Sequence, residues 1–270
     1  MRRLKIYPNA YYNYRKQRKS AYQNEKKISK EKISKIYHDH NGVVGYRMVK
    51  LYLEKDGIIR SNLTIHNYMN KELRLRSITR RKRPNYRKGK PHRIFENKIS
   101  QNFTAAKINQ KWCTDFTYLY LKNGEKCYNC TVIDLHDRSV VASLTDRKIT
   151  SDLAIRTIQK AFDAQGISHA TDLILHSDQG SQYTSKEFVN YCEKQGILQS
   201  MSKAGYPYDN APMERYFNTM KSELIYQHEY DTESALYEAI EHYAYQEYNM
   251  ERPHTFNNGK TPFQARYCAW

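Results

Sequence analysis

The stretch from about residue 109 to 201 holds three strand-like runs in succession and then alternates helix with strand, an order that few folds accommodate. "KWCTDFTYLYL", "CYNCTVIDLHD" and "SVVASLTD" are rich in aromatic and β-branched residues and are separated by short polar turns such as "KNGEK". This predicts three strands opening a sheet in antiparallel fashion. "TSDLAIRTIQKAFDAQG" follows, with Leu153, Ile155, Ile158 and Phe162 on one helical side and Gly166 closing it. Next come a strand in "DLILHSD", a helix in "TSKEFVNYCEKQG" with Thr184 and Glu187 as its capping box, and a short fifth strand in "ILQSM". Strands followed by alternating helices predict an α/β fold, a mixed sheet with helices on its faces.

Two acids fall within this pattern where charge is costly. Asp115 interrupts the first strand, and Asp178 ends the fourth directly before Gln179, Gly180 and Ser181. A charge in a core strand is strongly unfavourable unless it is paired or bound to a metal, so Asp115 requires a cation or a donor. Asp178 sits at the carboxyl end of a strand, where ligands collect, and it equally suits an aspartate that caps a turn.

A third acid follows in "YPYDNAPMERYFNTMKSEL", residues 206 to 224. Asp209 or Asn210 suits the helix cap, Pro212 fits the first turn, and positions 210, 214, 217, 218 and 221 then share one face. Glu214 and Lys221 stand two turns apart on it, roughly 10 Å at about 1.5 Å per residue. His176 shares the strand face of Asp178 and is read, like Asn210, as support for the acids.

Ahead of the strands lies a helical module. "SKEKISKIYHDH" places Ile33, Ile36 and Tyr37 at helical spacing, and "GYRMVKLYLEKDG" carries Met48, Leu51 and Tyr52 before stopping at Gly57. A third helix opens at Asn62, a candidate N-cap, with Ile65, Tyr68 and Met69 on one face. The opposite face shows Thr64, His66, Asn67, Asn70 and Lys71, side chains able to bond base edges or phosphates in a major groove.

Charge divides the chain at about the same place. The formal net charge is +17, but residues 1 to 102 hold 28 Lys plus Arg against 7 Asp plus Glu, a net +21, and the remainder is net −4. Basic runs threaded with tyrosine, above all "RSITRRKRPNYRKGKPHR" with Arg81, Lys82 and Arg83, attract a polyphosphate backbone through counterion release. Residues 14 to 35 fit a solvated basic tail equally well. Double-stranded DNA is therefore the expected partner.

At 270 residues the chain has room for one large domain and a small one. No apolar run approaches a membrane span and the amino terminus lacks a signal-peptide stretch, so a cytoplasmic protein is expected. Five cysteines fit a reducing compartment. Cys127 and Cys130 resemble half a zinc site, but an offset of three on a strand sends them to opposite faces, as two strand hydrophobes.

"WCTDFTYL", "LILHSDQGSQYTS" and "DNAPMERYFNTMKSE" resemble the three blocks of the DDE integrase core of retroviral integrases and insertion-sequence transposases. The 35 residues between Asp178 and Glu214 and the lysine seven after the glutamate match that pattern. "GYRMVKLYLEKDGIIRS" and "YNMERPHTFNNGKTPFQAR" are similar to the second reading-frame product of the group called IS-three, and the resemblance covers most of residues 30 to 267. Phe116 stands where isoleucine is usual, and Arg215 and Tyr216 where serine and phenylalanine are common.

The resemblance implies a ribonuclease-H-like sheet behind a helix-turn-helix-like DNA-binding domain, with Asp115, Asp178 and Glu214 as catalytic residues and ligands of two Mg²⁺ ions, for which Mn²⁺ can substitute. Three carboxylates and two such ions leave one positive charge, suited to an anionic scissile phosphate. It further implies DNA nicking at element ends, 3′-hydroxyl strand transfer, a phosphate grip by Lys221, a bacterial and nucleoid-associated setting, a homo-oligomer on DNA, and an upstream-frame partner or fusion. The expected segments are a basic start (1–28), the helical domain (29–78), a basic linker (79–102), the catalytic core (103–225) and a helical extension (226–270).

Other residues keep plainer expectations. Asp134 and Asp137 are read as turn and support residues. "DTESALYEAIEHYAYQEYN" predicts a helix burying Leu236, Ile240, Tyr243 and Ala244, and Asn249, Arg252 and His254 belong to a terminal block expected to pack on the core. Two other functions compete: a regulator that binds element ends without cutting, and a ribonuclease-H-type nuclease acting on RNA:DNA hybrids. Formation of strand-transfer product separates the first of these from the enzyme.

Overall fold

In the computed structural model, residues 8–16, 18–78, 93–203 and 207–268 are described. The chain divides into two compact units, Met1–Arg80 and Arg81–Trp270.

The first unit is helical: α1 (Pro8–Arg15), α2 (Arg18–Asp39), α3 (Tyr46–Lys55) and α4 (Asn62–His66), the last continuing in widened turns over Asn67–Glu72. Its core gathers Ile33, Val49, Leu53, Ile65, Tyr68 and Met69. The stripe of α3 is thus centred on Val49 and Leu53, with Met48 and Tyr52 at its margin. Ser61, one residue before the expected cap, accepts from the Thr64 N–H and starts α4. A serine hydroxyl in the extended conformation reaches that donor, and Asn62 becomes the first helical residue.

The second unit contains the sheet. β1 (Lys111–Tyr120), β2 (Lys126–Asp134) and β3 (Val140–Asp146) form an antiparallel meander; β4 (Ile174–Ser177) then pairs parallel with β1, and β5 (Leu198–Met201) parallel with β4. The resulting order is β3-β2-β1-β4-β5. Period-2 alternation sends β1 residues to two separate cores. Trp112 joins α5 (Ser151–Gln165) and α6 (Lys186–Lys194) on one face, through Ile158, Phe162 and Phe188. Cys113 and Leu119 join α7 (Ala211–Met220) and α8 (Glu233–His242) on the other, through Met213, Tyr216, Phe217, Leu236 and Ile240. Each fully buried apolar side chain of this kind contributes roughly 1.5–3 kcal/mol.

Local signals explain the element ends. Thr150 caps α5 and Gly166 closes it in the left-handed conformation. In α6 the cap is Ser185, which accepts from the Phe188 N–H, while the Thr184 hydroxyl donates to the Gly180 carbonyl. The Thr184–Glu187 capping box is therefore replaced by a serine cap one residue later, and Glu187 accepts from the Ser151 hydroxyl. Cys127 and Cys130 are buried, unpaired and on opposite faces: Cys127 lies in the α7–α8 core, and the Cys130 sulfur is 3.7 Å from the Tyr183 hydroxyl.

Helices α7 and α8 continue in widened turns, over Lys221–Ile225 and Tyr243–Glu251, and α9 (Pro262–Tyr267) follows with a capping box of Thr261 and Gln264. Asn249 donates to the Val140 carbonyl and accepts from its N–H, so one amide completes the start of β3. Arg252 makes a two-pronged bond to Glu223, and His254 bonds the Tyr248 hydroxyl at 3.2 Å. The terminal block packs on the core through these contacts.

Asp134 and Asp137 are support residues of a particular kind. Both are fully buried and both pair with Arg266 of α9, at 3.2 and 2.7 Å. Burial, reinforced by the neighbouring Asp137, raises the pKa of Asp134 above the usual carboxylate range. Nothing local in the sequence points to Arg266, because its partners lie more than a hundred residues upstream.

Candidate active site

Strand order sets the first two acids on neighbouring strands. β1 and β4 pair as Trp112 with Leu175 and Cys113 with His176. The pairing ends there and β4 closes at Ser177, so Asp115 lies in β1 and Asp178 just past the end of β4. Neighbouring strands run about 4.8 Å apart.

Each acid is held by local donors. Asp115 accepts from the Phe116 N–H at 2.7 Å and from the Asn210 amide at 3.3 Å. Asp178 accepts from the Gly180 N–H at 2.8 Å; a Cβ on Gly180 would lie 2.8 Å from the same carboxylate oxygen, so a larger residue there would push that carboxylate aside. The turn is also tied across to β5, where Gln179 donates to the Ser202 carbonyl.

Glu214 occupies the first turn of α7 and is exposed, while Met213, Tyr216 and Phe217 of that helix are buried. Neither Asp209 nor Asn210 caps α7, contrary to expectation. Asn210 stands at the cap position with no side-chain cap bond, because its amide is directed to Asp115. Its Oδ1 is buried without a donor. Asp209 instead accepts from the Lys203 N–H, the Asn97 amide and the Gln101 amide, and these donors, the Lys203 N–H first, hold its carboxyl below the usual range.

His176 is buried beneath this point. Its Nε2 is 2.8 Å from the Asp209 carbonyl and its Nδ1 is 2.9 Å from the Ser200 hydroxyl, which itself accepts from the Lys98 N–H. A serine already accepting can give its own proton to Nδ1, which makes Nε2 the donor to Asp209. Burial lowers the pKa of His176, in keeping with a neutral ring. The histidine supports the start of α7.

Lys221 is half-buried two turns past Glu214. Burial drives its pKa down, and the charge of Asp115 opposes that drop.

Among the described residues no group of three or more His, Cys, Asp and Glu side chains is gathered closely enough to hold a metal ion. Asp115 lies in β1 and Asp178 just past β4, and the set is not closed around one point. The donor chemistry nevertheless fits a hard divalent cation, since all three acids offer carboxylate oxygens.

The candidate DNA-contacting residues fall in two places. On α4 and its continuation Lys71 is exposed, and Thr64, His66, Asn67 and Asn70 are half-buried. His66 packs edge-on against the Tyr46 ring at 5.2 Å, and Oδ1 of Asn67 is buried without a donor. Leu63, 70% exposed, adjoins that surface. Arg81, Lys82 and Arg83 lie outside the described residues.

Comparison with known proteins bears on the whole arrangement. The integrase core domain family model matches residues 105–207, and a second integrase core domain model matches residues 195–262. Over 238 residues the chain is 34% identical to the putative transposase InsK for insertion sequence element IS150 of Escherichia coli (strain K12), covering 88% of this chain and 82% of that one. It is 32% identical over 249 residues to the transposase for insertion sequence element IS904 of Lactococcus lactis, covering 91% and 96%. A chain of the simian T-cell lymphotropic virus intasome, solved in complex with PP2A regulatory subunit B56 gamma, matches with a TM-score of 0.51 at 19% identity, over 88% of this chain and 75% of that one. The sheet is accordingly ribonuclease-H-like.

Proposed function

Because the chain belongs to the IS3-type insertion-sequence transposases, DDE polynucleotidyl transferases with an integrase core domain, we propose that it nicks DNA at the ends of its element and joins the freed 3′-hydroxyls to target DNA. The observation that supports this reading is the parallel pairing of β1, which carries Asp115, with β4, which ends one residue before Asp178, under the helix that carries Glu214. Asp115, Asp178 and Glu214 would hold two divalent ions, Mg²⁺ or in its place Mn²⁺. When bound, these activate the attacking hydroxyl and stabilise the leaving oxygen.

The remaining work falls to side chains of the protein. Asn210 orients Asp115 through its amide, and the Gly180 N–H does the same for Asp178. Neutral His176 fixes the Asp209 carbonyl and with it the entry to α7. Lys221 grips a DNA phosphate beside the first carboxylate. In nicking, water forms a new bond to phosphorus as the bond to the 3′-oxygen breaks; in joining, the freed 3′-hydroxyl bonds to a target-strand phosphorus as the bond from that phosphorus to its own 3′-oxygen breaks, leaving a target 3′-hydroxyl.

Thr64, Asn67, Asn70, Lys71 and the basic run with Arg81, Lys82 and Arg83 would bind the terminal repeats. No helix among the described residues is long and apolar enough to cross a membrane, and we place the protein in the bacterial cytoplasm, at the nucleoid. Assembly as a homo-oligomer on DNA, with an upstream-frame product as partner or fusion, completes the reading. The test is incubation with labelled duplexes taken from the genomic sequence flanking the coding frame, in Mg²⁺ or Mn²⁺, scored for nicked and joined strands. Binding without either product would identify an end-binding regulator instead.

A further inference from the structure

Asp209 and Asn210 are adjacent residues whose side chains reach in different directions. The carboxylate of Asp209, 4% exposed, takes the amides of Asn97 at 3.1 Å and Gln101 at 3.0 Å, both on the segment by which the chain enters the second unit. Its carbonyl is held by His176 of β4. The amide of Asn210, 6% exposed, is given to Asp115. Glu214 follows one helical turn later on the same helix.

The entry segment is itself built to present these donors. Oδ1 of Asn97 accepts from the N–H groups of Ile99 and Ser100, a turn that fixes the asparagine and leaves its amide for Asp209. Ile99 is buried in the α7–α8 core and the Lys98 N–H bonds Ser200 on β5. A buried carboxylate costs free energy unless donors surround it, so moving residues 97–101 away would strip Asp209 of two of its three donors, leaving the Lys203 N–H, and force the residues around it to rearrange.

We propose that Asp209 and Asn210 form a pivot, through which the seating of residues 97–101 sets the position of Asp115 and of the helix bearing Glu214, and so governs closure of the three carboxylates into a working site. Asp209, Asn97 and Gln101 are positioning residues; none touches the reacting atoms. Because residues 97–101 follow the basic stretch expected to engage DNA, the pivot makes the chemistry answer to how that stretch is held. It rests on the nicking and joining activity proposed above.

Two substitutions at the far side of the pivot test it in the full chain. Asn97→Asp keeps the turn, since Oδ1 still accepts, but sets a carboxylate against Asp209; Gln101→Ala removes one donor. The probe is a labelled duplex from the element flank with Mg²⁺, read for nicking rate, DNA half-saturation and Mg²⁺ half-saturation, alongside thermal melting. A displacement of about 1 Å at a reacting centre costs about 10²-fold in rate. Asn97→Asp should therefore slow nicking by up to about that factor and raise the Mg²⁺ half-saturation several-fold, while DNA half-saturation is unchanged.

Gln101→Ala should show the same split to a smaller degree, and it carries the test should Asn97→Asp fail to fold. Folded variants that nick at the wild-type rate, or that slow without any change in metal half-saturation, would overturn the pivot alone. A wild-type protein that nicks no such duplex in Mg²⁺ or Mn²⁺ would overturn the activity on which it rests.

Discussion

Arg266→Met should destabilise the second unit more than the position of α9 near the chain end would suggest. The arginine side chain is 3% exposed and pairs with two carboxylate side chains that are 0% and 1% exposed. It also bonds Ser139, Asn109 and Gln165. Methionine keeps much of the aliphatic length, so the loss is one of charge and donors. Breaking a buried ion pair from one side costs about 3–5 kcal/mol. The lower end applies, because Asp134 keeps the N–H groups of Asn109 and His136. At about 3 kcal/mol, and about 2–4 °C per kcal/mol for a unit of this size, the melting transition should fall by roughly 6–12 °C. The pH dependence has a definite sign. Without the arginine the folded pKa of Asp134, already raised by burial, moves further above its unfolded value, and an acid of that kind stabilises the fold only while protonated. The deficit should thus shrink as pH falls toward about 4 and grow toward neutrality. Urea and thermal melts of the full chain across that range measure it, with Asp134→Asn as the coupled background. A deficit under about 1 kcal/mol at neutral pH, or one undiminished by Asp134→Asn, would refute the reasoning.

On the proposed two-metal reading, Asp115→Asn, Asp178→Asn and Glu214→Gln should each abolish nicking and joining while DNA binding persists, because each would remove one ligand charge; a Glu214→Gln protein that still joins ends would return Glu214 to the role of a surface carboxylate. If about six phosphates are neutralised by the basic front of the chain, log K against log[salt] should have a slope of about −5, and a truncation from residue 103 with the same affinity and slope would exclude that front from binding. Asn67→Ala with Lys71→Ala should weaken end binding and spare metal-dependent nicking at high DNA concentration; equal loss of both in a folded protein would place α4 in the active site instead. Burial, with Arg252, Arg138 and Arg215 nearby, depresses the pKa of His254 to about 4. That stabilisation is complete above about pH 6.5 and is lost as pH falls through about 4, at most about 1.4 kcal/mol per pH unit. His254→Gln should flatten this part of the stability profile, and an unchanged slope would show that His254 is not its source.

The second unit was readable from periodicity because strands and helices advertise themselves locally. "KWCTDFTYLYL" alternates faces at period 2, and Leu236, Ile240, Tyr243 and Ala244 recur at helical spacing; all four are buried in the α7–α8 core. The meander and the parallel additions to it follow from strand order and connection length. Asp115 stood out because a charge in a strand needs a partner, and the structure supplies the Phe116 N–H and the Asn210 amide. Choices among neighbouring residues were less accessible. Ser185 rather than Thr184 caps α6, and Val49 and Leu53 rather than Met48 and Leu51 centre the stripe of α3, because a shift of one residue changes propensity little and only packing selects the register.

Long-range pairings were decided by tertiary structure alone. Asn249 meets Val140 across 109 residues, Arg266 meets Asp134 across 132, and Asp209 meets Gln101 across 108. Each is a polar group whose local context is ordinary and whose partner is chosen by the fold. Asp209 and Asn210 both read as helix caps, since an acid or amide before Ala211-Pro212 satisfies that pattern. Burying α7 on the sheet gave their side chains better partners than their own helix, because a donor buried beside Asp115 or an acceptor beside Asn97 and Gln101 would cost more left unmade than a cap exposed to water.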